Sequence, residues 1–385
     1  MKKDLGRLRS LVKKKKKSVL NKVIHFFARS SYDAYLVGGF VRDTILGKKT
    51  NDIDISVQGD AMKAGYSLNR ILKGKIKTHK EFRTISIFKD NIRIDLATAR
   101  KEVYPFPGAL PKIAKSNIYE DLRRRDFSIN AIAVGISKNN FGDVFDPFDG
   151  IGDINRGLIR ILHKRSFIDD PTRIFRALRY KNRFNFELDP ITKRFLKDAL
   201  SKTMIEKISK QRVMNELKLI FTEENYLDIL YDLQRYGIFK FNKKGLKNIG
   251  VMGNLRYYYF LCLIDAENFP LSNQEKKIIN DLRKLNITAK IVREAKDNST
   301  LFYALKEIDK EVINRMCQIY PDLNQKIQRY YSLKKIKPLL NGKDLKKIKI
   351  EPGPQFREIL TRIYKLQLNG KIKNKKLALT FLKNG

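Results

Sequence analysis

The sequence predicts an α+β protein, with a small mixed β-sheet and packed helices near the N-terminus and helices alone in the remainder. Between Tyr35 and about Val134, short runs alternate apolar and polar residues and are rich in β-branched side chains, which is typical of strands. Beyond about residue 155, apolar residues recur at helical spacing. A chain of 385 residues is also too long for one ordinary domain. We therefore expect an N-terminal α/β head followed by an elongated helical arm.

The elements of the head can be assigned in order along the chain. A helix is predicted from residue 19 to about residue 30, ahead of the first strand. A long loop, from about Lys101 to Ser116, is predicted after the strand that contains Asp95, because three prolines and Gly108 interrupt the pattern there. The five predicted strands are Ala34–Val37, Ile53–Val57, Thr84–Phe88, Arg93–Ala97 and Ile132–Ile136.

Helical periodicity dominates the second part of the chain, and no internal repeat is present. The segments Pro338–Asp344 and Glu351–Pro354 are rich in helix breakers and separate short terminal helices. The apolar residues that define the two clearest helices are Ile174, Phe175 and Leu178 in the first, and Val213, Leu217 and Ile220 in the second.

The composition is strongly basic, because 81 Lys and Arg residues face 41 Asp and Glu residues and give a formal net charge of +40. Such a charge favours a polyanionic partner, either nucleic acid or an anionic membrane surface. The lysine run Lys13–Lys17 is either a basic RNA-contacting arm or a solvated leader. No apolar run approaches the roughly 18–20 residues that cross a bilayer, so we expect no membrane-spanning segment.

The cysteines and histidines predict no metal centre of their own. Cys262 and Cys317 lack the spacing of metal ligands and are expected to be small core residues in a reducing, cytoplasmic setting. His25, His79 and His163 are scattered along the chain and form neither a zinc motif nor a nucleophile arrangement. We therefore expect a cytoplasmic protein.

The most informative stretch is Leu36–Asp43, a strand end followed by two glycines and a helix start, with a second strand carrying Asp52 and Asp54 shortly after it. Residues i and i+2 of a strand share a face, so the two carboxylates lie roughly 6–7 Å apart along the backbone. Convergent carboxylates bind hard cations such as Mg²⁺. Adjacent glycines let a phosphate approach bare backbone N–H groups. Together these features predict an enzyme that positions a nucleoside triphosphate on a metal.

A third acid, Asp95, lies in the strand-like run Arg93–Ala97. An acid between apolar neighbours in a strand is often structural, but here it would complete a carboxylate trio. Its role would be metal support, or acceptance of the proton from an attacking hydroxyl. The D-x-D pattern of Asp52 and Asp54 also occurs in glycosyltransferases and in chance loops, whereas the preceding glycines and Arg42 have no role in either.

The compact segment Arg124–Ala131 admits two interpretations that can both hold. In the structural interpretation it is a helix entry, with Asp126 or Ser128 as the cap and apolar side chains buried. In the functional interpretation, Arg125, Asp126 and Asn130 grip a triphosphate and a ribose, because phosphoryl transfer needs positive charge and positioning more than covalent help.

A helix is predicted to begin at Pro171, which makes Asp170 its N-cap and brings Asp170 and Arg173 onto one face as a possible ion pair. Asp offers only acceptors and Arg only donors. Cytosine and adenine each present an amino donor beside a ring-nitrogen acceptor, whereas uracil and guanine present the reverse. This pair would therefore accept CTP and ATP and reject UTP and GTP, since a wrong base leaves buried polar groups unpaired.

With these motifs, the chain resembles class II tRNA nucleotidyltransferases, the CCA-adding enzymes and their poly(A) polymerase relatives in the DNA polymerase β-like superfamily. The resemblance is specific over about residues 30–220 and also includes Asp146–Gly150 and the Gln211-Arg212 to Glu216 helix. It implies a basic leader and first helix at 1–29, a nucleotidyltransferase head at 30–155, a nucleotide-selecting neck at 156–222, a helical body at 223–335 and a tRNA-binding tail at 336–385.

The resemblance also implies roles for single residues. Departures from the family pattern are Asp169 before Asp170, Gln211 before Arg212, and Ser128 in place of Thr. The implied metal ligands are Asp52 and Asp54, holding Mg²⁺ in a two-metal site, with Asp95 as a further catalytic acid. The implied nucleotide-binding residues are Gly38, Gly39, Arg42, Asp43, Arg125, Asp126, Asn130, Asp170, Arg173 and Arg176. Arg212 and Glu216 would brace the neck.

The first functional hypothesis is addition of CCA to the tRNA 3′ end from CTP and ATP, with release of pyrophosphate. The alternatives are an A-adding specialist that completes tRNA ending in C-C and relies on a CC-adding partner enzyme, a poly(A) polymerase, and a non-catalytic RNA-binding protein. The intact Asp52 and Asp54 pair argues against the last. The long loop, similar to that of some A-adding enzymes, argues against a CC-only enzyme.

Past residue 200, tyrosines are interleaved with lysines and arginines. Each single tyrosine is more simply explained as a core position with a solvated basic face beside it. As a set, basic helical faces suit the acceptor stem of tRNA, which is bound by shape and phosphate contacts. The tyrosines concerned are Tyr226, Tyr231, Tyr236, Tyr257, Tyr258, Tyr259, Tyr330 and Tyr331.

Overall fold

The computed structural model describes residues 18–79, 81, 83–264, 266 and 268–384. The lysine run at 13–17 lies outside the described residues. The chain divides into two compact units, with the boundary between Phe239 and Lys240. The first unit contains a β-sheet and helices, and the described part of the second contains helices only. The predicted α+β class is therefore confirmed, while the five-part division of the chain remains a prediction.

A mixed seven-stranded sheet forms the centre of the first unit, with strand order β3-β4-β5-β2-β1-β8-β9. Strands β2 and β5 run parallel, and the other neighbours are antiparallel. All five predicted strands are present, and β3 and β9 extend the two edges. The strands are β1 Asp33–Val37, β2 Asp52–Gln58, β3 Lys75–His79, β4 Thr84–Lys89, β5 Ile92–Thr98, β8 Ala133–Gly135 and β9 Val144–Phe145.

One face of this sheet is apolar and covered by helix. Alternate residues of the central strands, such as Ile55, Ile85 and Leu96, are fully buried on that face. Helix α3, Ala61–Leu72, packs there, and Gly65 lies so close to Ile85 that no larger side chain fits. The opposite face is apolar over β1 and β8, where Tyr35, Val37 and Ala133 pack in a buried cluster with Ile118 and Leu122. Its open part lies over β2, β5, β4 and β3 and carries mainly polar side chains.

Two further helices flank these strands in the sequence. The predicted N-terminal helix is α1, Val19–Arg29, whose cap Ser18 accepts a hydrogen bond from the Asn21 backbone. Helix α2, Gly38–Ile45, follows β1 directly and connects it to β2. The order strand, double glycine, helix and strand is therefore as predicted.

The segment predicted as a long loop contains a β-hairpin. Strands β6, Arg100–Val103, and β7, Lys112–Lys115, pair antiparallel, and only residues 104–111 between them are irregular. The loop prediction was therefore wrong over its two ends. The strands escaped notice because their charged, four-residue sequences carry no apolar alternation, although Val103 and Ile113 are β-branched.

Beyond β9, helices dominate to the end of the first unit, as the periodicity predicted. The predicted core residues Phe175, Leu178, Leu217 and Ile220 are fully buried. A small parallel pair, β10 Leu158–Ile159 with β11 Glu187–Leu188, is an exception to the all-helical prediction. The helices are α4 Ile118–Arg123, α5 Gly150–Arg156, α6 Ser166–Asp169, α7 Thr172–Phe184, α8 Pro190–Ser201, α9 Lys210–Ile220 and α10 Tyr226–Arg235.

The second unit is a set of short helices around an apolar core that includes Leu255, Val292, Ile327 and Tyr330. Cys262 and Cys317 pack against this core as free, half-buried thiols, as expected. Its helices are α11 Lys243–Ile249, α12 Arg256–Leu263, α13 Asn273–Arg283, α14 Leu285–Glu294, α15 Asn298–Leu305, α16 Lys310–Ile319, α17 Asn324–Leu333, α18 Gly342–Lys347, α19 Pro354–Leu368 and α20 Lys375–Asn384.

The tyrosines of the basic helices divide between core and surface. Tyr257 and Tyr330 are buried, and Tyr258 and Tyr331 are partly buried against the same core, so the structural explanation holds for them. Tyr231 is 46% exposed. None of the helices in the described residues is long and apolar enough to cross a membrane.

Candidate active site

The double glycine lies at the junction between β1 and α2. Gly38 has φ +67°, a left-handed conformation that L side chains rarely adopt. A Cβ at this position would lie 2.7 Å from the Arg125 Nη1 atom and 3.4 Å from an Asp54 carboxylate oxygen. Glycine is therefore required here both by the backbone turn and by the close approach of two charged side chains.

Arg42 is held in one position by contacts on several sides, and its side chain is 5% exposed. Its Nη1 donates to Asn130 Oδ1 at 2.5 Å, and its Nε donates to Asp43 Oδ1 at 2.9 Å. The guanidinium carbon lies 4.6 Å from the centre of the Phe184 ring and 5.3 Å from that of Tyr180. The predicted cation is thus fixed before any ligand arrives.

The three predicted carboxylates lie on β2 and β5, where Asp54 is directly opposite Asp95. The Asp95 carboxylate accepts from Ser86 Oγ at 2.5 Å and forms an ion pair with Arg93 at 2.9 Å. Asp52 lies at the exposed start of β2. In the described part of the chain, no three His, Cys, Asp or Glu side chains are arranged to hold a metal ion. The strand register nevertheless brings Asp95 opposite Asp54, so the carboxylate trio stays a prediction, with Asp95 already bonded to Ser86 and Arg93.

Asp54 differs from its neighbours because its negative charge is poorly compensated. Burial raises the pKa of Asp54, Arg125 opposes this shift, and the charges of Asp95 and Asp52 reinforce it. Among the described residues, no hydrogen bond or ion pair is found for the Asp54 carboxylate. A half-buried carboxylate with two acidic neighbours and no bonded cation is the kind of donor that a divalent metal ion stabilises. The residues present therefore fit a metal ion.

The predicted Arg125 lies beside Asp54 and is oriented by α4. Its Nη2 forms an ion pair with Asp121 Oδ2 at 3.1 Å, while its Nε is buried and has no hydrogen-bond partner among the described residues. Arg124 bonds to Asp121 at 2.8 Å and to Glu102 at 3.0 Å. Burial would raise the pKa of Asp121, but Arg124 and Arg125 outweigh it and hold that pKa below its usual range.

Asp126 lies at the centre of a fully bonded cluster. Its Oδ1 accepts from the Asn130 amide at 2.8 Å and from the Phe127 backbone at 2.9 Å, and its Oδ2 accepts two bonds from Arg176 at 2.6 and 2.8 Å. Burial would raise the pKa of Asp126, but Arg176 and Asn130 lower it well below the usual range. The predicted burial of Phe127 is confirmed, whereas Ser128 bonds to Asp153 rather than capping a helix.

The Asp170 and Arg173 side chains face the same space but do not form the expected ion pair. Asp170 Oδ1 accepts from the Thr172 backbone N–H at 3.0 Å, in keeping with its predicted capping role, and from Arg212 at 2.7 Å. Arg173 donates to Ser166 Oγ and to the Arg124 backbone carbonyl, each at 2.7 Å. Asp170 and Arg173 are therefore oriented by different partners, and their charged groups are not bonded to each other.

The two predicted bracing residues are on α9. Arg212 donates to the Gly108 carbonyl at 2.7 Å as well as to Asp170, so it ties the hairpin loop to the start of α7. Glu216 is 8% exposed, and its Oε2 lies 3.7 Å from the Arg179 Nη2 atom. Burial raises the pKa of Glu216, although Arg176 and Arg179 oppose this shift.

These groups surround one cavity of about 440 Å³ in the first unit. Asp43, Asp52, Asp95 and Arg212 lie outside its lining. The predicted residues that line it are Gly38, Gly39, Arg42, Asp54, Arg125, Asp126, Asn130, Asp170, Arg173, Arg176 and Glu216.

Arg124, from the predicted segment Arg124–Ala131, also lines the cavity, and the lining residues that the sequence did not indicate are Glu102, Tyr104, Thr172 and Tyr180. Tyr180 follows Arg173 and Arg176 at seven- and four-residue spacing on α7, so helical periodicity could have identified it. Tyr104 donates to Glu102 at 3.1 Å, and burial raises the pKa of its phenol. These two residues belong to the hairpin that was predicted as a loop, and no pattern in the sequence assigns them to the cavity.

Comparisons with known families agree with this architecture. Residues 34–160 match the family described as the poly A polymerase head domain. Residues 185–249 match a probable RNA- and SrmB-binding site of polymerase A, and residues 267–382 match a putative domain 2 of tRNA nucleotidyltransferase. The head therefore defines the class, that of poly(A) polymerase-type nucleotidyltransferases.

Individual relatives specify the family further. An A-adding tRNA nucleotidyltransferase of Halalkalibacterium halodurans is 31% identical over 94% of this chain and 91% of its own length. A CCA-adding enzyme of Limosilactobacillus reuteri is 26% identical over 91% of this chain and 92% of its own. The chain belongs to the tRNA nucleotidyltransferase family.

Two further comparisons concern length and fold. The chain spans 43% of the length of an A-adding tRNA nucleotidyltransferase of Geobacter sulfurreducens, to which it is 31% identical over 87% of its own residues. The solved complex of a CCA-adding enzyme with ATP has a TM-score of 0.73 and 26% identity, and each chain covers 97% of the other. The predicted family and fold are therefore confirmed.

Proposed function

We propose that this protein adds the terminal adenosine to tRNA that already ends in C-C, using ATP and no nucleic-acid template. The observation that carries the proposal is the single cavity lined by Asp54 at one end of the site and by Asp170 and Arg173 on the neck helix. One bound nucleotide can therefore touch the carboxylate that acts on its phosphates and the side chains that recognise its base.

The reaction proposed is an in-line displacement at the α-phosphate. The RNA 3′-hydroxyl loses its proton to water and forms a bond to the α-phosphorus, the bond from that phosphorus to the pyrophosphate oxygen breaks, and pyrophosphate leaves. Asp52 and Asp54 are the proposed Mg²⁺ ligands; in a two-metal site, such ions stabilise the attacking and leaving oxygens. Gly38, Gly39 and Arg42 are proposed to hold the triphosphate, through bare backbone on one side and positive charge on the other.

The remaining predicted residues have supporting roles in this proposal. Arg125 is proposed to contact the phosphates, because its buried Nε has no partner in the described residues and a phosphate oxygen is a suitable acceptor. Asp126, Asn130 and Arg176 form a hydrogen-bonded cluster, and we propose that it lies beside the ribose of the bound nucleotide. Asp95 already binds Ser86 and Arg93, so we propose that it orients Arg93 rather than accepting the substrate proton.

Base selection is proposed to rest on Asp170 and Arg173, because an acceptor beside a donor matches the pairing edge of adenine and of cytosine. Thr172 and Arg212 bind one oxygen of Asp170, and Ser166 and Arg124 orient Arg173. Both groups are therefore preorganised, which favours strong rejection of UTP and GTP.

Relatives named A-adding support the choice of adenosine alone. Full CCA addition, the first hypothesis from the sequence, is the second candidate, and the observation in its favour is that the same acceptor and donor pair suits cytosine equally. Poly(A) synthesis remains an alternative within the family. A partner enzyme that supplies C-C ends belongs to the A-adding proposal only. The formal charge of +40 suits tRNA as the polyanionic substrate.

The experiment that tests the proposal uses three tRNA transcripts, ending before CCA, after C-C and after C-C-A. Each is incubated with the purified protein, Mg²⁺ and CTP, ATP or both. One adenosine added only to the C-C end is the expected result. Three nucleotides added to the first transcript would establish the CCA-adding candidate, long A tails would establish a polymerase, and no addition to any transcript would refute the proposed activity.

A further inference from the structure

The open face of the seven-stranded sheet continues well beyond the carboxylates. Directly paired residues of neighbouring strands point to the same face, and two such rows run outward from β2 across β5 and β4 to β3. The first row is Asp52, Arg93, Phe88 and Lys75. The second row is Asp54, Asp95, Ser86 and Lys77.

The first row begins with an acidic side chain on β2 and continues with a basic, an aromatic and a second basic side chain on β5, β4 and β3. Phe88 is 41% exposed, and the Arg93 guanidinium carbon lies 5.9 Å from the centre of its ring. Arg93 is neutralised by Asp95, whereas Lys75 and Lys77 are exposed cations on the edge strand β3. An exposed aromatic ring between basic side chains is the arrangement on which single-stranded nucleic acids stack.

The geometry of the in-line displacement indicates which substrate this surface would bind. The cavity residues Gly38 and Arg42 follow β1, which is one neighbour of β2 in the sheet, and β5 is the other neighbour. Attacking and leaving oxygens lie on opposite sides of the phosphorus in an in-line displacement. If pyrophosphate leaves on the β1 side, the attacking 3′-hydroxyl approaches from the side of β5, β4 and β3.

We propose that the open face formed by Phe88, Arg93, Lys75 and Lys77 binds the unpaired 3′-terminal nucleotides of the RNA substrate. A base stacks on Phe88, and Lys75 and Lys77 neutralise backbone phosphates. The surface reaches about 14 Å from β2 to β3, at about 4.8 Å per strand. This inference rests on the proposed function, because it assumes that the nucleophile is an RNA end.

A matched control is available on the other face of the sheet. Tyr66 on α3 is 49% exposed, close to the exposure of Phe88, but α3 packs on the apolar face. Lys63 and Arg70 are exposed cations on the same helix and match Lys75 and Lys77. Variants of these residues remove the same chemical groups at sites that the RNA end would not reach.

The first measurement is steady-state incorporation of ATP into tRNA ending in C-C. Phe88→Ala is expected to raise KM for tRNA about tenfold and to leave KM for ATP unchanged, because the stacking ring is lost. Phe88→Tyr keeps a ring and should have the native KM for tRNA. The control Tyr66→Ala should change neither KM. We also expect the double variant Lys75→Ala/Lys77→Ala to change the salt dependence of tRNA binding. The slope of the logarithm of the binding constant against the logarithm of the salt concentration should be shallower by about two than for Lys63→Ala/Arg70→Ala. Equal effects of the two members of each matched pair would overturn the proposal.

The second measurement does not depend on catalysis. A tRNA carrying 2-aminopurine in its unpaired 3′ end is expected to lose fluorescence on binding the native protein, because the base stacks, and to keep it with Phe88→Ala. Quenching that is the same with both proteins would overturn the stacking role. If the native protein adds no nucleotide to any transcript, the proposed function fails, yet this binding comparison still decides whether the surface holds the RNA end.

Discussion

Two carboxylates that line the same cavity, one buried and one half-buried, have opposite electrostatic environments. Asp126 receives bonds from Arg176, Asn130 and the Phe127 backbone, and its pKa lies below the usual range. Asp54 has acidic neighbours and no bonded cation among the described residues, and its pKa is raised. The first region is complete in the protein alone, whereas the second is incomplete, because its charge is uncompensated and the proposed Mg²⁺ would balance it. We infer that the first carboxylate builds the cavity and that the second acts in it.

The largest expected effect is that of Asp54→Asn, which tests the incomplete region. Incorporation should fall by about a thousandfold or more, since the metal ligand is lost. The thermal midpoint should not fall, because the substitution removes a half-buried, uncompensated charge. Incorporation assays and thermal unfolding would measure the two effects, with Asp198→Asn on α8 as an exposed carboxylate control. A variant that loses stability and keeps activity would reverse the assignment of the two regions.

The corresponding change in the complete region is Asp126→Asn. It leaves Arg176 without its ion-pair partner and should lower the free energy of unfolding by about 2–3 kcal/mol. The loss is smaller than for a fully buried ion pair, because the Arg176 side chain is 31% exposed. Urea unfolding would measure the loss. If Asp126→Asn and Asp54→Asn proved equally stable, the contrast between the two carboxylates would not hold.

The stability difference between the native protein and Asp126→Asn is expected to depend on pH. The folded-state pKa of Asp126 is lowered, so its stabilising contribution is present above the unfolded pKa of about 3.9 and is lost as pH falls through the folded value. The stability difference between native protein and Asp126→Asn should therefore be constant near neutral pH and shrink below about pH 4. A difference that grows on acidification would contradict the pKa direction.

A smaller effect is expected at the base-selecting end of the cavity. Arg173→Ala should relax the preference for ATP over UTP and GTP by about 10- to 100-fold, because the donor that matches adenine and cytosine is removed. Single-nucleotide competition assays on tRNA ending in C-C would measure it, with Arg165→Ala as an exposed arginine control on the preceding turn. Unchanged discrimination would assign Arg173 a purely structural role through Ser166 and Arg124.

The smallest effect is the response to Mg²⁺ without nucleotide. At tenfold excess over its dissociation constant, the ion should stabilise the native protein by about 1.4 kcal/mol, or about 2–4 °C in the thermal midpoint. Asp54→Asn should show no such shift, and Asp126→Asn should keep it. Removal of the ion with EDTA should return the native midpoint to its starting value. A shift retained in Asp54→Asn would indicate that the ion binds elsewhere.

The parts of the site that lie close together in sequence could be predicted, and the parts that depend on distant contacts could not. Asp52 and Asp54 share a face because a strand has a period of two, and Gly38 marks a turn that only glycine tolerates. By contrast, the bond between Ser86 and Asp95 depends on strand register, which the sequence of either strand does not specify. The expected carboxylate trio stays a prediction, and the partners that hold Asp95 could not be derived from either strand alone.

The contacts of Asp170 illustrate the same limit. The capping role of Asp170 follows from its position before Pro171, and it is present in the structure. The pairing of Asp170 with Arg212 crosses 42 residues, and it replaces the local ion pair with Arg173 that helical spacing suggested. Local spacing states which side chains can meet, whereas the tertiary fold decides which of them do.

The bond between Arg212 and the Gly108 carbonyl has a consequence for protein synthesis. The two residues are 104 positions apart, so a ribosome working at about 5–20 residues per second makes the arginine roughly 5–20 s after the glycine. During that interval the hairpin tip of the nascent chain can bond to Ile168 but lacks its bond to Arg212, even though the sheet is already complete. The cavity, which Glu216 on the same helix also lines, can therefore be completed only late in translation, once α9 has left the ribosome.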